Sequence, residues 1–248
     1  MSGFGGKVVA ITGGASGIGL ATVQLLAEAG AQVASIDRAA PGPAASAGAR
    51  LELQGDVGDE AVVEEQAHNI RDTLGPIDML VCAAGFSNGK SVPDCPLDEW
   101  DAILRTNLTG SFLWSRAAVS QMRAAGQGGS IVMIGSQLAF AGGRSNAAYL
   151  ATKGALVSLA KSMAVDHAAD GIRVNVLVPG AIDTPLLTRA FDRAPDPEAA
   201  RARSVARHPL GRLGRPDEMA RAIRFLLSDD ASFTTGACLN AEGGWLAG

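Results

Sequence analysis

Tyr149 and Lys153 stand four residues apart in "AAYLATKGAL" (147–156), and Tyr149 is the only tyrosine of the 248-residue chain. On a helix that spacing projects both side chains from one face. A phenol with a pKa of about 10 is a poor base at neutral pH, and bringing it near 7 asks for roughly 4 kcal/mol in favour of the phenolate. A cation ~6 Å away at an effective dielectric of ~20 supplies about 2.8 kcal/mol. Lys153 and one further positive charge together would therefore suffice. Two more polar residues stand where chemistry can use them. Ser136 ends an apolar run, "GSIVMIGS" (129–136), where its hydroxyl can bond a carbonyl or hydroxyl oxygen. Asn107, in "TNLTG" inside a predicted helix, is a poor helix former whose side chain can hold a water. A Tyr-x-x-x-Lys pair alone is more often packing than chemistry, so the four must be judged by what positions them.

The positioning elements alternate. Apolar, β-branched runs at 7–12, 31–37, 50–57, 77–85, 129–136, 172–180 and 236–244 read as strands. Helical periodicity covers 18–30, 59–75 with Asp59 as its cap, 99–124 with a bend near "TNLTG", 146–169 and 216–230 with Pro216 at its first position. This alternation predicts βαβ units around a parallel sheet covered on both faces. With no linker and no internal repeat, residues 1–248 read as one domain. The segment 183–215 differs: it is rich in Arg and Pro, with short helical pieces and weak periodicity.

"TGGASGIG" (12–19) falls where the first strand hands over to the first helix. Gly13, Gly17 and Gly19, with Ser16 and Ile18 among them, let a diphosphate lie against the turn and the helix N-terminus. Asp37 ends the second strand roughly 20 residues on, where an acidic group accepts hydrogen bonds from an adenosine ribose. It also repels a 2′-phosphate, favouring NAD over NADP, although the neighbouring Arg38 could hold that phosphate. Asp56 and Val57 end the third strand, and Ala83, Ala84 and Gly85 follow the fourth. These lie at the carboxyl edge of the sheet, where such folds place their ligand crevice. A dinucleotide there would bring its positive nicotinamide to Tyr149 as the second charge, and Lys153 could bond the nicotinamide ribose.

Composition removes other classes. A net charge of −4 gives no basic footprint for nucleic acid. The apolar runs are far shorter than the roughly 20 residues of a spanning helix, and the N-terminus has no secretory pattern. Cys82, Cys95 and Cys238 lack CxxC spacing, which points to reduced thiols and a cytoplasmic protein. His68, His167 and His208 are scattered, so no metal site is expected.

Taken in order, TGxxxGxG at 12–19, Asp37, the Asp56-Val57 pair, Asn107, Ser136, Tyr-x-x-x-Lys at 149–153 and "NVLVPGAIDTP" (175–185) resemble the short-chain dehydrogenase/reductase family over essentially the whole chain. The resemblance implies a Rossmann-type, doubly wound parallel sheet of about seven strands with helices on both faces. It implies a catalytic tetrad of Asn107, Ser136, Tyr149 and Lys153, with Tyr149 passing a proton as hydride moves to or from the nicotinamide. Pro179, Gly180, Ile182 and Thr184 would complete the cofactor site, with Ile182 and Thr184 at the carboxamide. It also implies a homotetramer packed through the helices at 99–124 and 146–169, and a substrate lid at about 183–215.

Two departures stand out. Ala83 replaces the asparagine of the family's usual NAG triplet, so a structural hydrogen bond is expected to be lost or supplied by water. Glu242 stands in "AEGG", where Asp is common. For the substrate, Gln137 and Asn146 beside the serine and tyrosine could bond hydroxyls, together with Ser136 and Tyr149 themselves. The lid arginines Arg189, Arg193, Arg201, Arg203 and Arg207 could clamp a carboxylate or phosphate, though solvated helix faces are the commoner fate of such residues. The expected reaction is NAD-linked interconversion of a secondary alcohol and a ketone, on a sugar, polyol or hydroxy acid. The alternatives are an NADPH-dependent 3-oxoacyl-carrier-protein reductase, suggested by "HPLGRLGRPDEMA" (208–220), and a catalytically silent nucleotide-binding protein.

Overall fold

The computed structural model describes residues 3–40 and 48–248; residues 41–47, within the expected Ala/Pro/Gly loop, lie outside the described residues. Seven strands form one parallel sheet: β1 (Val8–Thr12), β2 (Gln32–Asp37), β3 (Leu51–Gln54), β4 (Met79–Cys82), β5 (Gly129–Ile134), β6 (Ile172–Pro179) and β7 (Cys238–Ala241). Their order is β3-β2-β1-β4-β5-β6-β7. All pairings are parallel, with Ile11 opposite Ser35 on one side and Val81 on the other. Every residue of β1 is buried, because both faces of the sheet are covered.

Strand alternation sorts the core into two layers. Val8, Ala10, Leu80, Ile131 and Met133 meet helices α2 (Glu60–Leu74), α4 (Gly110–Ala125) and α5 (Ala147–Asp166) through Ile70, Trp114 and Leu156. Val9, Ile11, Val81 and Val132 meet α1 (Gly17–Glu28) and α8 (Pro216–Leu227) through Val23, Leu26, Ile223 and Leu227. The expected starts hold. Asp59 caps α2 by accepting from the Ala61 and Val62 amides at 3.1 and 3.3 Å, and Pro216 opens α8.

The expected bend near "TNLTG" is a π-helical turn, Arg105–Thr109, between α3 (Leu97–Leu104) and α4. A Cβ on Gly110 would come within 2.7 Å of Val57 Cγ2, so glycine lets this bend seat against the end of β3. In the weakly periodic segment two short helices form, α6 (Pro185–Asp192) and α7 (Pro197–Ala206). Each has a capping residue followed by proline: Thr184 accepts from the Leu187 amide and Asp196 from the Ala199 amide. The Thr-Pro and Asp-Pro pairs were the sequence signal for both starts. No helix among the described residues is long and apolar enough to cross a membrane.

Candidate active site

The chain leaves β1 toward β2 and β3, then returns to β4 on the other side, opening a crevice at the carboxyl ends of the strands. A cavity of about 870 Å³ occupies it. Its floor is the glycine turn. Gly13 has φ of +71°, and a Cβ there would lie 2.8 Å from the Ala84 backbone, so only glycine lets the turn pack on the end of β4. Ser16 precedes α1 without making a side-chain cap, and the first turn of α1 holds no acidic residue. The orphan amides there remain available to an anion, which is the fit a diphosphate needs.

Asp37 is half-buried at the tip of β2. One carboxylate oxygen accepts from the Ala15 amide at 3.1 Å and the other from the Ala39 amide at 2.9 Å. It therefore ties the glycine turn to the sheet and keeps lone pairs for a ribose. Arg38 is exposed beside it. Asp56 accepts from the Gly58 amide at 2.9 Å and lies 3.6 Å from Arg105. After β4, Thr12 Oγ1 accepts from the Ala83 and Ala84 amides at 3.1 and 3.2 Å. With Ala83 in the asparagine position, the turn is held from neighbouring elements by Thr12 and by Asn107.

Asn107 is the one member of the expected tetrad that does not line the cavity. It is 1% exposed in the π-helical turn. Its Oδ1 accepts from the Phe86 amide at 3.0 Å, and its Nδ2 donates to the Phe86 carbonyl and to Thr152 Oγ1. Both amide hydrogens are thus committed to protein, and the side chain splices the loop after β4 to α5. The expected water-holding task is left to the second lone pair of Oδ1.

The other three line one wall. Ser136, buried just beyond β5, accepts from the Leu138 amide at 3.1 Å, which leaves its hydroxyl hydrogen to donate. Lys153 reaches from α5 to donate to the Ile134 carbonyl at 2.6 Å, with Nζ 5.4 Å from the centre of the Tyr149 ring. Burial lowers the Lys153 pKa to about 8, opposed by the nearby Cys82. Burial likewise raises the Tyr149 pKa, and a hydrogen bond with Ser136 opposes it. The expected acidification rests on Lys153 together with a positive nicotinamide; in the protein alone burial dominates. Desolvation of the hydroxyl outweighs what Ser136 offers, and the same burial weakens the lysine's hold on its proton without removing it near neutral pH.

Gln137 lines the cavity, and its Oε1 is buried without a partner among the described residues. Asn146 also lines it, but its amide is engaged by Ser87 Oγ at 2.6 Å and the Arg144 carbonyl at 3.2 Å. From the last residue of β6 onward, Pro179, Gly180, Ile182 and Thr184 line the wall, with the Thr184 methyl 3.2 Å from where a Gly17 Cβ would be. His208, which the sequence showed only as a scattered histidine, fixes α7 to this wall. The Ala181 amide donates to its Nε2 at 3.2 Å, so its Nδ1 proton faces the Ser204 carbonyl at 2.7 Å. Phe86, Arg144 and Trp245 also line the cavity without having been foreseen. Among the arginines expected at the lid, Arg201 does not line it; it turns outward to Asp183 at 3.2 Å.

A family model described as enoyl-(acyl carrier protein) reductase matches residues 13–246. A cis-4-hydroxycyclohexanecarboxylate dehydrogenase of Sinomonas cyclohexanicum is 40% identical, with 98% of each chain covered. An L-rhamnose 1-dehydrogenase (NAD(P)(+)) of a Sphingomonas strain is 37% identical, with 96% of each covered. Among solved structures, aldohexose dehydrogenase of Thermoplasma acidophilum superposes with a TM-score of 0.90 at 32% identity, over 98% of this chain and 94% of the other. The chain belongs to the short-chain dehydrogenase/reductase family, as an NAD(P)-dependent oxidoreductase acting on CH–OH groups.

Proposed function

We propose that this enzyme interconverts a secondary alcohol and a ketone on a ring-shaped or polyhydroxylated substrate, with NAD as its preferred cofactor and Tyr149 as its acid/base. The observation that carries the reading is the meeting of Ser136, Tyr149 and Lys153 on the wall of the cavity whose floor is the glycine turn. The alcohols named for the relatives, a hydroxycyclohexanecarboxylate and a sugar, support the substrate class. The half-buried Asp37 beside an exposed Arg38 supports NAD.

A bound nicotinamide supplies the hydride acceptor or donor. Ser136 donates its hydroxyl hydrogen to the substrate oxygen and orients it. Tyr149 takes the proton of that oxygen in the alcohol-to-ketone direction and returns it in the other. Lys153 has one N–H on the Ile134 carbonyl and two directed away from it, free to grip a ribose. Asn107 sets the distance between the loop after β4 and α5, and so between cofactor and tyrosine. The segment 183–215 acts as the substrate lid. Exposed Phe112 on α4 and Val165 on α5 support a homotetramer packed through those helices, whose mass static light scattering reads directly.

Tyr149→Phe tests the central role. The variant should bind NAD within about threefold of wild type and lose turnover by roughly 10³-fold, the middle of the range for a lost general acid/base. Retained turnover on alcohols that the wild type oxidises would remove Tyr149 from the chemistry.

A further inference from the structure

Seven arginines fall in the segment 183–215, and the structure divides them. Arg201, Arg212 and Arg215 pair with Asp183, Glu218 and Asp217 at 3.2, 2.7 and 3.1 Å. None of these three lines the main cavity. Arg189, Arg193, Arg203 and Arg207 do line it, joined from the opposite rim by Arg144. None of these five makes an ion pair with a carboxylate among the described residues. The acidic residues of the cavity wall are Asp37 and Asp56, both at the β2–β3 end. The half beneath α6 and α7 therefore carries cations with no counter-ion.

Two of the cations share a rim beside the tyrosine. Gly89, in the loop after β4, has φ of +72°, and a Cβ there would lie 2.7 Å from Arg193 Nε. The guanidinium thus crosses from the end of α6 to rest on that loop. The Gly89 amide donates to Ser87 Oγ at 3.3 Å, and Ser87 donates to Asn146. Asn146 in turn donates to the Arg144 carbonyl, and it stands three residues before Tyr149. Residues 87–89 and 144–146 are thus hydrogen-bonded into one rim before Tyr149, with the Arg193 side chain lying over Gly89 at one end and Arg144 supplying its backbone carbonyl at the other.

We propose that the substrate carries a fixed anion of the carboxylate class, seated against Arg193 and Arg144 while its hydroxyl meets Tyr149. This rests on the alcohol-dehydrogenase reading of the same site. A guanidinium offers two parallel N–H donors to a carboxylate, and hydrogen bonds of that kind are the strong ones.

The test is calorimetric and needs no turnover. Cyclohexanecarboxylate and cyclohexanecarboxamide, of equal size and without a reacting hydroxyl, are titrated into enzyme saturated with NAD. The carboxylate should bind at least about 10-fold tighter, the low end for a charge-assisted pair. That preference should fall to about threefold or less in Arg193→Ala, fall partly in Arg144→Ala, and survive in part in Arg193→Lys. Added salt should weaken the carboxylate and leave the amide unmoved. Equal binding of the two probes, no binding of either at millimolar concentration, or a preference indifferent to both alanine variants would overturn the proposal. So would a loss of NAD affinity in Arg193→Ala in step with the lost preference, since the arginine would then serve a cofactor phosphate. If the preference holds while Tyr149→Phe keeps its turnover, the anion site stands and the catalytic reading falls.

Discussion

The two ends of the cleft are built by different means. At the β2–β3 end the wall is backbone: a glycine turn against β4, amides at the start of α1, and Asp37 held from two sides by Ala15 and Ala39. At the α6–α7 end the wall is exposed side chains on two short helices, each started by a cap and a proline. A backbone wall is fixed by the sheet register and suits a ligand of constant shape. A wall of solvent-facing side chains can change by substitution without disturbing the sheet. The contrast assigns the constant partner, the dinucleotide, to the first end and the particular substrate to the second.

Lys153 lies where the ends meet, and its burial gives the largest expected effect. An unfolded lysine titrates near 10.5, whereas in the folded protein burial lowers it to about 8. Between those values the unfolded chain holds a proton that the folded chain has released. Unfolding free energy should therefore rise with pH across 8 to 10.5, by up to about 3 kcal/mol in total, and the full cost of the buried ammonium should be present below pH 8. Lys153→Met removes this dependence. Losing the donor to the Ile134 carbonyl shifts the offset by about 1 kcal/mol but not the slope. Urea titrations at pH 7.5, 9 and 10 should show wild type gaining on the variant as pH rises; parallel profiles would mean that the ammonium is solvated through the cleft.

Asp37 tests the backbone end with a smaller effect. Because it accepts from Ala15 as well as standing where a ribose would bond, Asp37→Ala should weaken NAD by about 10- to 100-fold, the range of one or two charge-assisted hydrogen bonds. NADP should weaken less, so their ratio moves toward NADP. Equal weakening of both, read by fluorescence titration, would assign Asp37 to the glycine turn alone and leave the choice of cofactor to Arg38.

Much of the backbone end was legible in the sequence, because glycines and strand-terminal acids occur there for steric and electrostatic reasons that hold at any depth. The strands were found within a few residues, and the break near Asn107 was located although its π-helical form was not. Positions proved easier to read than partners. Asn107 was given a water, but its bonds to Phe86 and Thr152, 21 and 45 residues away in the chain, were not foreseen. The effect of Lys153 on Tyr149 was calculated from charge alone, whereas desolvation acts on both groups. His208 looked like a scattered histidine because the amide it accepts from lies 27 residues upstream. The arginines of 183–215 looked alike for the same reason: their carboxylate partners, or lack of them, depend on tertiary contacts.

That division among the arginines yields the smallest predicted effect and the sharpest check on the comparison. Arg201 belongs to the same helix as Arg203, carries the same charge, and is engaged with Asp183 at 3.2 Å on the outer side. If general positive charge over the cleft held the substrate, Arg201→Ala would weaken an anion nearly as much as a change at the rim, since both lie within the reach of screened Coulomb forces. If contact holds it, Arg201→Ala should leave the preference for carboxylate over carboxamide within about twofold of wild type. Its stability should change by less than ~0.5 kcal/mol, as for an exposed pair. The calorimetric titration that reads Arg193→Ala reads this variant too. A larger loss at Arg201 would mean that the α6–α7 end works as a field rather than as a wall.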